Sequence, residues 1–169
     1  MYRLKPRDFE RQITSNLNPV RWGIGHLTIQ MDTVFNHLCL GDRRLDQDFR
    51  DYFVMGPDRA SKREFPMSYR ALIDQFLEFS EASIEYLNNL PEDKFMEPPA
   101  HNTKKNTETM VELIQRISLH FMGHTGQIYQ TKRELGKGGT FVMGIKKKNR
   151  DDSKAKWLSW WNAHKNNYL

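Results

Sequence analysis

Two histidines four residues apart are the first feature of the sequence that could do chemistry. His120 and His124 share one face of a helix, with Cβ atoms about 5–6 Å apart, and such a pair can bind one divalent ion at about 2.0–2.1 Å. Two stacked histidines on an inward face leave several polar nitrogens to satisfy, and a metal ion satisfies both rings at once. The two histidines fall in an apolar stripe in which neighbouring members are three, four and in one case seven residues apart. Its other members are Met110, Leu113, Ile117, Ile128 and Leu135.

A third histidine, His26, lies in another predicted helix. It follows Trp22 by four residues and precedes Ile29 by three, which places it on a partly apolar, inward face. Gly23 and Gly25 beside it cost helix stability, and the close approach of another backbone would compensate for that cost. The residues alone leave two interpretations open, namely a three-histidine metal site or core histidines that are each satisfied by one hydrogen bond.

The remaining candidates are poorly placed for the same ion. His37 lies eleven residues after His26, which is ~16 Å along a helix axis. His101 falls in a predicted loop and His164 at the end of the last predicted helix. Cys39 stands between two leucines and is typical of a small buried hydrophobic residue. Serine–histidine–acid, phosphate-loop and dinucleotide fingerprints are absent from the sequence.

Helical periodicity accounts for most of the chain, and no segment alternates convincingly as a strand. Asn18 is the predicted N-cap of the first helix, with Pro19 at its first position, while Gly41 and Gly136 end the first and third helices. Residues 41–65 and 91–106 are predicted as surface loops. Trp157, Trp160 and Trp161 fall on one side of the last helix, which must therefore pack against something. The four predicted helices cover residues 19–40, 66–89, 107–135 and 153–164.

A faint internal repeat predicts a bundle with pseudo-twofold symmetry. The segment LKPRDF at 4–9 resembles LPEDKF at 90–95, and each precedes a polar loop and a long helix that carries Gly-His. The second half has a leading helix at 66–89, whereas the first half has none. The C-terminal helix, a partner subunit or a different bundle arrangement must take that place.

Length and composition favour one domain in a reducing compartment. The 169 residues suit a single core, and no apolar run reaches the roughly 18–20 residues that span a bilayer. The charged N-terminus lacks the apolar core of a signal peptide. The single cysteine cannot form an internal disulfide, so we expect a cytoplasmic protein.

The net charge of +5 belongs to the C-terminal end of the chain. Residues 146–169 hold seven Lys and Arg and two acids, while the other 145 residues hold nineteen of each sign. The body therefore offers no charged face suited to a polyanion, and we expect neither a membrane partner nor a nucleic-acid partner. Nucleic-acid association through the basic run at 146–150 stays an alternative.

The residues around the three histidines resemble the DinB/YfiT-like superfamily of metal-dependent four-helix bundles. NPVRWGIGHL at 18–27 is similar to the Trp-x-x-Gly-His-Leu motif, and HFMGHTGQI at 120–128 to the His-x-x-x-His-x-Gly-Gln-Ile motif. The resemblance covers about residues 1–136 and implies His26, His120 and His124 as metal ligands.

The resemblance also implies the fold. We expect an all-α, DinB-like, up-down four-helix bundle with a pseudo-twofold repeat, here without the first bundle helix and with an extra Trp-rich C-terminal helix. We accordingly divide the chain into a DinB-like bundle at 1–141 and a basic linker with the C-terminal helix at 142–169. That helix is expected to pack on the bundle or on a partner subunit.

Two kinds of chemistry follow from the resemblance. Many members are described as metal-dependent hydrolases, and better understood relatives are transferases or isomerases that use a low-molecular-weight thiol such as bacillithiol or mycothiol. Three protein ligands leave a coordination position open to a water of lowered pKa or to a thiolate. The expected cofactors are a divalent ion (Zn, Ni or Fe) and such a thiol, with a small-molecule substrate.

Three further residues are candidates for binding cofactor or substrate. Gln127 could orient His124 or face the substrate, Trp22 could line the pocket, and Arg116, four residues before His120, could bind a substrate carboxylate. Surface exposure and core packing are the structural alternatives for the first two, and no carboxylate is identifiable as a general base. The alternative function is a non-catalytic dimeric bundle with a structural metal or a small-ligand role. We expect a homodimer because the missing helix and the tryptophan face both need cover.

Overall fold

A computed structural model of the protein describes residues 4–54, 67–102, 107–138 and 147–169, and the structural statements below concern these ranges. They contain no strand, which confirms the all-α prediction, and none of their helices combines the length and the apolarity needed to cross a membrane. Two 3₁₀ turns lie at Glu92–Met96 and Lys165–Tyr168. The α-helices are α1 (Pro6–Phe9), α2 (Val20–Met31, continued by a π-helix at Asp32–Leu40), α3 (Gln47–Phe53), α4 (Tyr69–Asn89), α5 (Met110–Glu134) and α6 (Lys147–His164).

The ends of the long helices follow from local hydrogen bonding. α5 begins with a capping box in which the Thr109 hydroxyl accepts from the Glu112 amide and the Glu112 carboxylate accepts from the Thr109 amide. Gly41 after α2 and Gly136 after α5 have φ values of +73° and +65°, a conformation that glycine adopts without a Cβ penalty. Both glycine breaks were predicted from the sequence.

All four predicted helix starts need correction. α4 begins at Tyr69 rather than near residue 66, and α5 begins at Met110 rather than near residue 107. Pro19, rather than Asn18, occupies the N-cap position of α2, so the first helical residue is Val20. The last helix begins at Lys147 rather than near residue 153. The linker at 139–146 and the side chains of Lys146, Lys147, Lys148 and Arg150 in the basic run lie outside the described residues.

The predicted surface loop over 41–65 is wrong in its middle, because α3 lies there. Asp46 caps this helix by accepting from the Phe49 amide at 2.7 Å. Phe49, Tyr52 and Phe53 are buried, and their spacing of three and four residues places them on one face. Residues 55–65 of the predicted loop lie outside the described residues.

α2 is the central helix of the bundle. It packs against α1, α3, α4 and α5, and every residue from Val20 to Ile29 is buried, including His26 at 3% exposure. A helix enclosed on all sides is the most rigid position that a small bundle offers for a functional side chain. α5 is covered less evenly, since buried positions occur near its two ends while Leu119 and Met122 are exposed.

The C-terminal helix packs along α4 in the antiparallel sense. Lys154 pairs with Glu81 at 2.6 Å, and about two turns further on the Trp161 indole donates to Asp74 at 2.8 Å. Trp161 is 1% exposed, and beyond the helix the Tyr168 hydroxyl donates to a backbone carbonyl near the N-terminus. Trp161 therefore covers α4, while the division of the chain at residue 141 stays a prediction.

Candidate metal centre

The structure brings His26 of α2 together with His120 and His124 of α5. One ring nitrogen of each lies within 4.8 Å of those of the other two, and the ring centroids are 5.1, 4.9 and 4.7 Å apart. Nε2 of His26 lies 3.0 Å from Nε2 of His120. In the described part of the chain this is the one group of three or more histidine, cysteine or acidic side chains close enough to share an ion.

The other histidines make different contacts. The His101 ring lies against Gly41, where an added Cβ would meet it at 2.8 Å. Nδ1 of His164 donates to the Trp160 carbonyl at 2.8 Å. Neither these two nor His37 belongs to the three-histidine cluster, in agreement with the prediction, which excluded His37 by its distance along the helix and the other two by their positions in the chain.

The orientation of His26 is fixed by α3. Its Nδ1 lies 2.9 Å from the carbonyl oxygen of Phe53, and since a carbonyl only accepts, Nδ1 carries the proton and Nε2 keeps its lone pair. The Phe53 ring lies over Gly25, where a Cβ would come within 2.5 Å of three ring atoms. The glycine therefore allows α3 to approach α2, although the group that approaches it is an aromatic ring and not the backbone that we expected.

Gln127 makes a hydrogen bond with the third histidine. Its Oε1 accepts from Nδ1 of His124 at 2.9 Å, which again leaves Nε2 as the nitrogen with a free lone pair. Metal-binding histidines generally donate a hydrogen bond from the N–H of their second ring nitrogen to such a partner. Its predicted role in orienting His124 is therefore compatible with the observed contact, and a contact with substrate stays a prediction.

Trp22 packs directly on the cluster. Its ring stacks on His26 with centroids 4.5 Å apart and an interplanar angle of 10°, and it lies 5.7 Å from the His124 ring. The indole Nε1 is buried and has no acceptor within the described ranges. A buried donor of this kind is costly unless a water or a ligand accepts from it.

Burial lowers the pKa of all three imidazoles and so favours their neutral form. The pKa of His26 is lowered mainly by burial, with smaller contributions from the two other rings, against the opposing effect of the Phe53 hydrogen bond. Burial is also the main cause of the lowered pKa of His120, followed by His124 and then Arg116. For His124 burial lowers the pKa and Gln127 opposes it. Neutral imidazole is the form that binds metal.

Arg116 lies one turn before His120 on α5 and is engaged by a carboxylate. Its Nε and Nη2 donate to the two oxygens of Glu108 at 2.8 and 2.9 Å, and this hydrogen bonding raises the pKa of Arg116. A bidentate pair fixes the plane of the guanidinium. Its predicted contact with a substrate carboxylate stays a prediction.

The donor set fits a divalent transition metal ion. Ligand nitrogens around a tetrahedral ion at about 2.0–2.1 Å stand about 3.3–3.4 Å apart, close to the 3.0 Å between the His26 and His120 nitrogens. Three neutral imidazoles suit Zn, Cu, Fe or Ni. His26 is enclosed while His120 and His124 are half-buried, so the cluster is closed on the α2 side and accessible beside α5.

Sequence reasoning missed α3 and its part in the site. The signal in the sequence was the spacing of Phe49, Tyr52 and Phe53 together with the glycine at position 25, which indicated close approach without showing what approached. A backbone carbonyl carries no signature in residue type, so the partner of His26 could not be named from the sequence.

Comparison with known proteins gives a family. The sequence model of the DinB superfamily matches residues 2–128, a range that includes all three histidines. No curated protein and no solved structure matches the chain.

Proposed function

This chain belongs to the DinB superfamily, and we propose that it is a divalent-metal-dependent enzyme in which His26, His120 and His124 hold the ion. The observation that supports the proposal is the convergence of one nitrogen from each ring within 4.8 Å. An ion held by three protein ligands supplies Lewis acidity and an open coordination position.

The residues around the histidines would preorganise the site. The Phe53 carbonyl and the Gln127 amide each hold one ring with its Nδ1 proton turned away from the cluster. The stacked Trp22 indole excludes water from one face of His26. Because the rings are already oriented and neutral, binding an ion needs little rearrangement.

The proposed reaction is hydrolysis of a small molecule or transfer to or from a low-molecular-weight thiol, with Zn, Ni or Fe as the ion. The half-buried His120 and His124 leave an approach for a substrate beside α5. The ligand group contains no carboxylate, so the ion itself would provide the activation. Trp22, Gln127 and Arg116 are the proposed residues for contacting the cofactor or substrate.

A non-catalytic dimeric bundle with a structural ion is the second candidate. It is favoured by the exposed apolar side chains on α5, Leu119 at 68% and Met122 at 41% exposure, which a second copy of the chain could cover. In this case a fourth protein ligand would close the coordination shell, as is usual for structural zinc.

The coordination shell of the loaded protein separates the two candidates. X-ray absorption of zinc-loaded protein at pH 8 should show three imidazoles and a fourth light ligand from solvent. Addition of a small thiol should replace that ligand with sulfur at about 2.3 Å if the thiol reaction is the right one. A shell of four protein ligands that a thiol does not alter would contradict the proposed enzyme and support the structural role.

A further inference from the structure

The position of α3 depends on tertiary contacts. A helix of seven residues, Gln47–Phe53, is far shorter than the roughly 12–15 residues that are marginal in isolation. Its aromatic face packs into the core, but apolar packing alone does not fix how far a short helix lies along its neighbour. A directional contact is needed to set that register.

Asp32 provides this contact from α2. Its side chain is fully buried and lies where the α-helical part of α2 passes into the π-helical part. Oδ2 accepts from Nη1 of Arg50 in α3 at 3.0 Å. Oδ1 accepts from the Arg44 amide at 2.9 Å and from the Asn36 side chain at 3.1 Å. The carboxylate is thus satisfied by charge and by hydrogen bonds, as a buried charge must be.

Arg50 is attached to α2 at two neighbouring positions. Besides Asp32, its guanidinium reaches the hydroxyl of Thr33, to which Nη2 donates at 3.3 Å. The Arg50 side chain is only 12% exposed. A planar guanidinium held by two consecutive residues of one helix fixes both the distance and the direction of α3.

The same short helix holds His26 at its other end. Phe53 follows Arg50 by three residues, and its carbonyl is one of the last of α3, which have no acceptor role within the helix. That carbonyl accepts the hydrogen bond from Nδ1–H of His26. α3 therefore contacts α2 at Asp32 and at His26, six residues or about 9 Å apart along the axis of α2.

We propose that the Asp32–Arg50 ion pair positions His26. It holds α3 in the register at which the Phe53 carbonyl selects the His26 tautomer with its Nε2 lone pair toward His120 and His124. Arg50 acts through α3 and touches no ligand, so it is a positioning residue. The consequence for metal affinity rests on the proposed function, whereas the selection of the tautomer does not.

The test compares Arg50→Gln with a matched surface variant, Arg44→Gln. Arg44 lies in the same region of the chain and forms an ion pair with Glu78 at 2.6 Å, but that pair is exposed. The hydrogen bond from the Arg44 backbone amide to Asp32 is kept when the side chain is replaced. A double variant, Asp32→Asn with Arg50→Gln, removes both charges and leaves no unpaired buried carboxylate. This double variant replaces Arg50→Gln in the test if the single variant does not fold. Arg50→Lys is the conservative rescue.

Two readouts are measured, the histidine ring ¹⁵N shifts of metal-free protein at pH 8 and the zinc affinity in competition with a chelator. Wild type and Arg44→Gln should show His26 protonated at Nδ1 and equal zinc affinity. Arg50→Gln, or the double variant, should show a mixture of tautomers and an affinity about 10-fold lower, the low end for outer-shell partners. Arg50→Lys should recover part of both.

The outcomes separate the two claims. An unchanged tautomer in a folded Arg50 variant overturns the positioning role, whether or not zinc affinity falls. A shifted tautomer in a protein whose wild type binds no zinc supports the positioning role and overturns the proposed metal site. A shifted tautomer together with a zinc affinity equal to wild type overturns the claim that this orientation matters for the ion.

Discussion

The Phe53 carbonyl oxygen accepts a hydrogen bond from Nδ1 of His26 at 2.9 Å. This bond joins a residue on the central helix to the last residue of a short helix 27 positions later. Phe53 also lies on Gly25, the neighbour of His26, so one residue covers the helix and orients the histidine. The protonation of one ring nitrogen is thereby determined by the packing of α3.

Gly25→Ala should lower the free energy of unfolding by about 1–3 kcal/mol, the usual cost of overpacking a core. The Phe53 ring cannot move aside, because it is fully buried against the rings of Phe49 and Tyr52 at 4.8 and 4.7 Å. Urea unfolding measures the change. The matched control is Gly23→Ala, whose Cβ would meet only the Ile128 side chain at 3.4 Å. It should keep the stability or raise it by up to about 1 kcal/mol, and equal loss in the two variants would contradict this account.

Gln127→Ala should weaken zinc binding by about 10- to 100-fold, because the acceptor that holds Nδ1 of His124 is lost. Gln127→Glu keeps an acceptor oxygen and should bind nearly as tightly as wild type. Competition with a chromophoric chelator measures both affinities. Gln130→Ala removes a similar amide, one that pairs with Glu134 on the surface, and should have no effect. A loss in this control as large as that in Gln127→Ala would count against the orienting role.

Acidification should destabilise the metal-free fold through His26. Its folded pKa lies below the ordinary value of about 6.5 because burial disfavours the imidazolium. The unfolded state therefore takes up a proton that the folded state does not, and the free energy of unfolding falls as the pH drops below about 6.5. Above that range His26 contributes no pH dependence.

Urea unfolding in the presence of a chelator, repeated between pH 5 and 8, measures how steeply the free energy of unfolding falls with pH. His26→Gln keeps a donor for the Phe53 carbonyl and removes the titration, so its stability should fall less steeply on acidification. Identical slopes for the two proteins, or a steeper one for the variant, would show that His26 is not buried as a neutral ring.

Trp161→Phe should reduce stability by about 0.5–1.5 kcal/mol, because it keeps most of the buried ring and loses the hydrogen bond to Asp74. Trp161→Ala should cost about 3–5 kcal/mol, since this side chain is only 1% exposed. Lys154→Ala breaks a more exposed contact of α6 with α4 and should cost less than about 1 kcal/mol. Equal small losses in all three, measured by urea unfolding, would mean that α6 does not pack on α4 in solution.

The long helices were predictable because each combines a long apolar stripe with local end signals. The glycine breaks at Gly41 and Gly136 were read directly from residue type and spacing, whereas the Thr109 cap of α5 was found only in the structure. The histidine cluster was predictable for the same reason. The i, i+4 pair and the Gly-His segment both lie on long helices, where residue spacing shows which side chains share the inward face.

α3 could not be predicted with equal ease, because seven residues are too few to establish a period and Asp48, Arg50 and Asp51 give it the composition of a loop. Its helicity depends on tertiary contacts with α2. Asp32 illustrates the same limit, since an acid on an apolar helix is normally assigned to the surface and only its partner in α3 explains its burial. The uneven burial of side chains along α5 likewise depends on which other helices contact it, and the sequence does not show this.

Metal stoichiometry tests the central claim most directly. Tag-free protein, purified without chelators and dialysed against zinc, should contain one ion per chain by inductively coupled plasma mass spectrometry. His26→Ala, His120→Ala and His124→Ala should each lose that ion, while His37→Ala, which changes a histidine outside the cluster, should retain it. Wild-type protein without bound zinc, or zinc retained at one ion per chain in all three ligand variants, would contradict the three-histidine metal site.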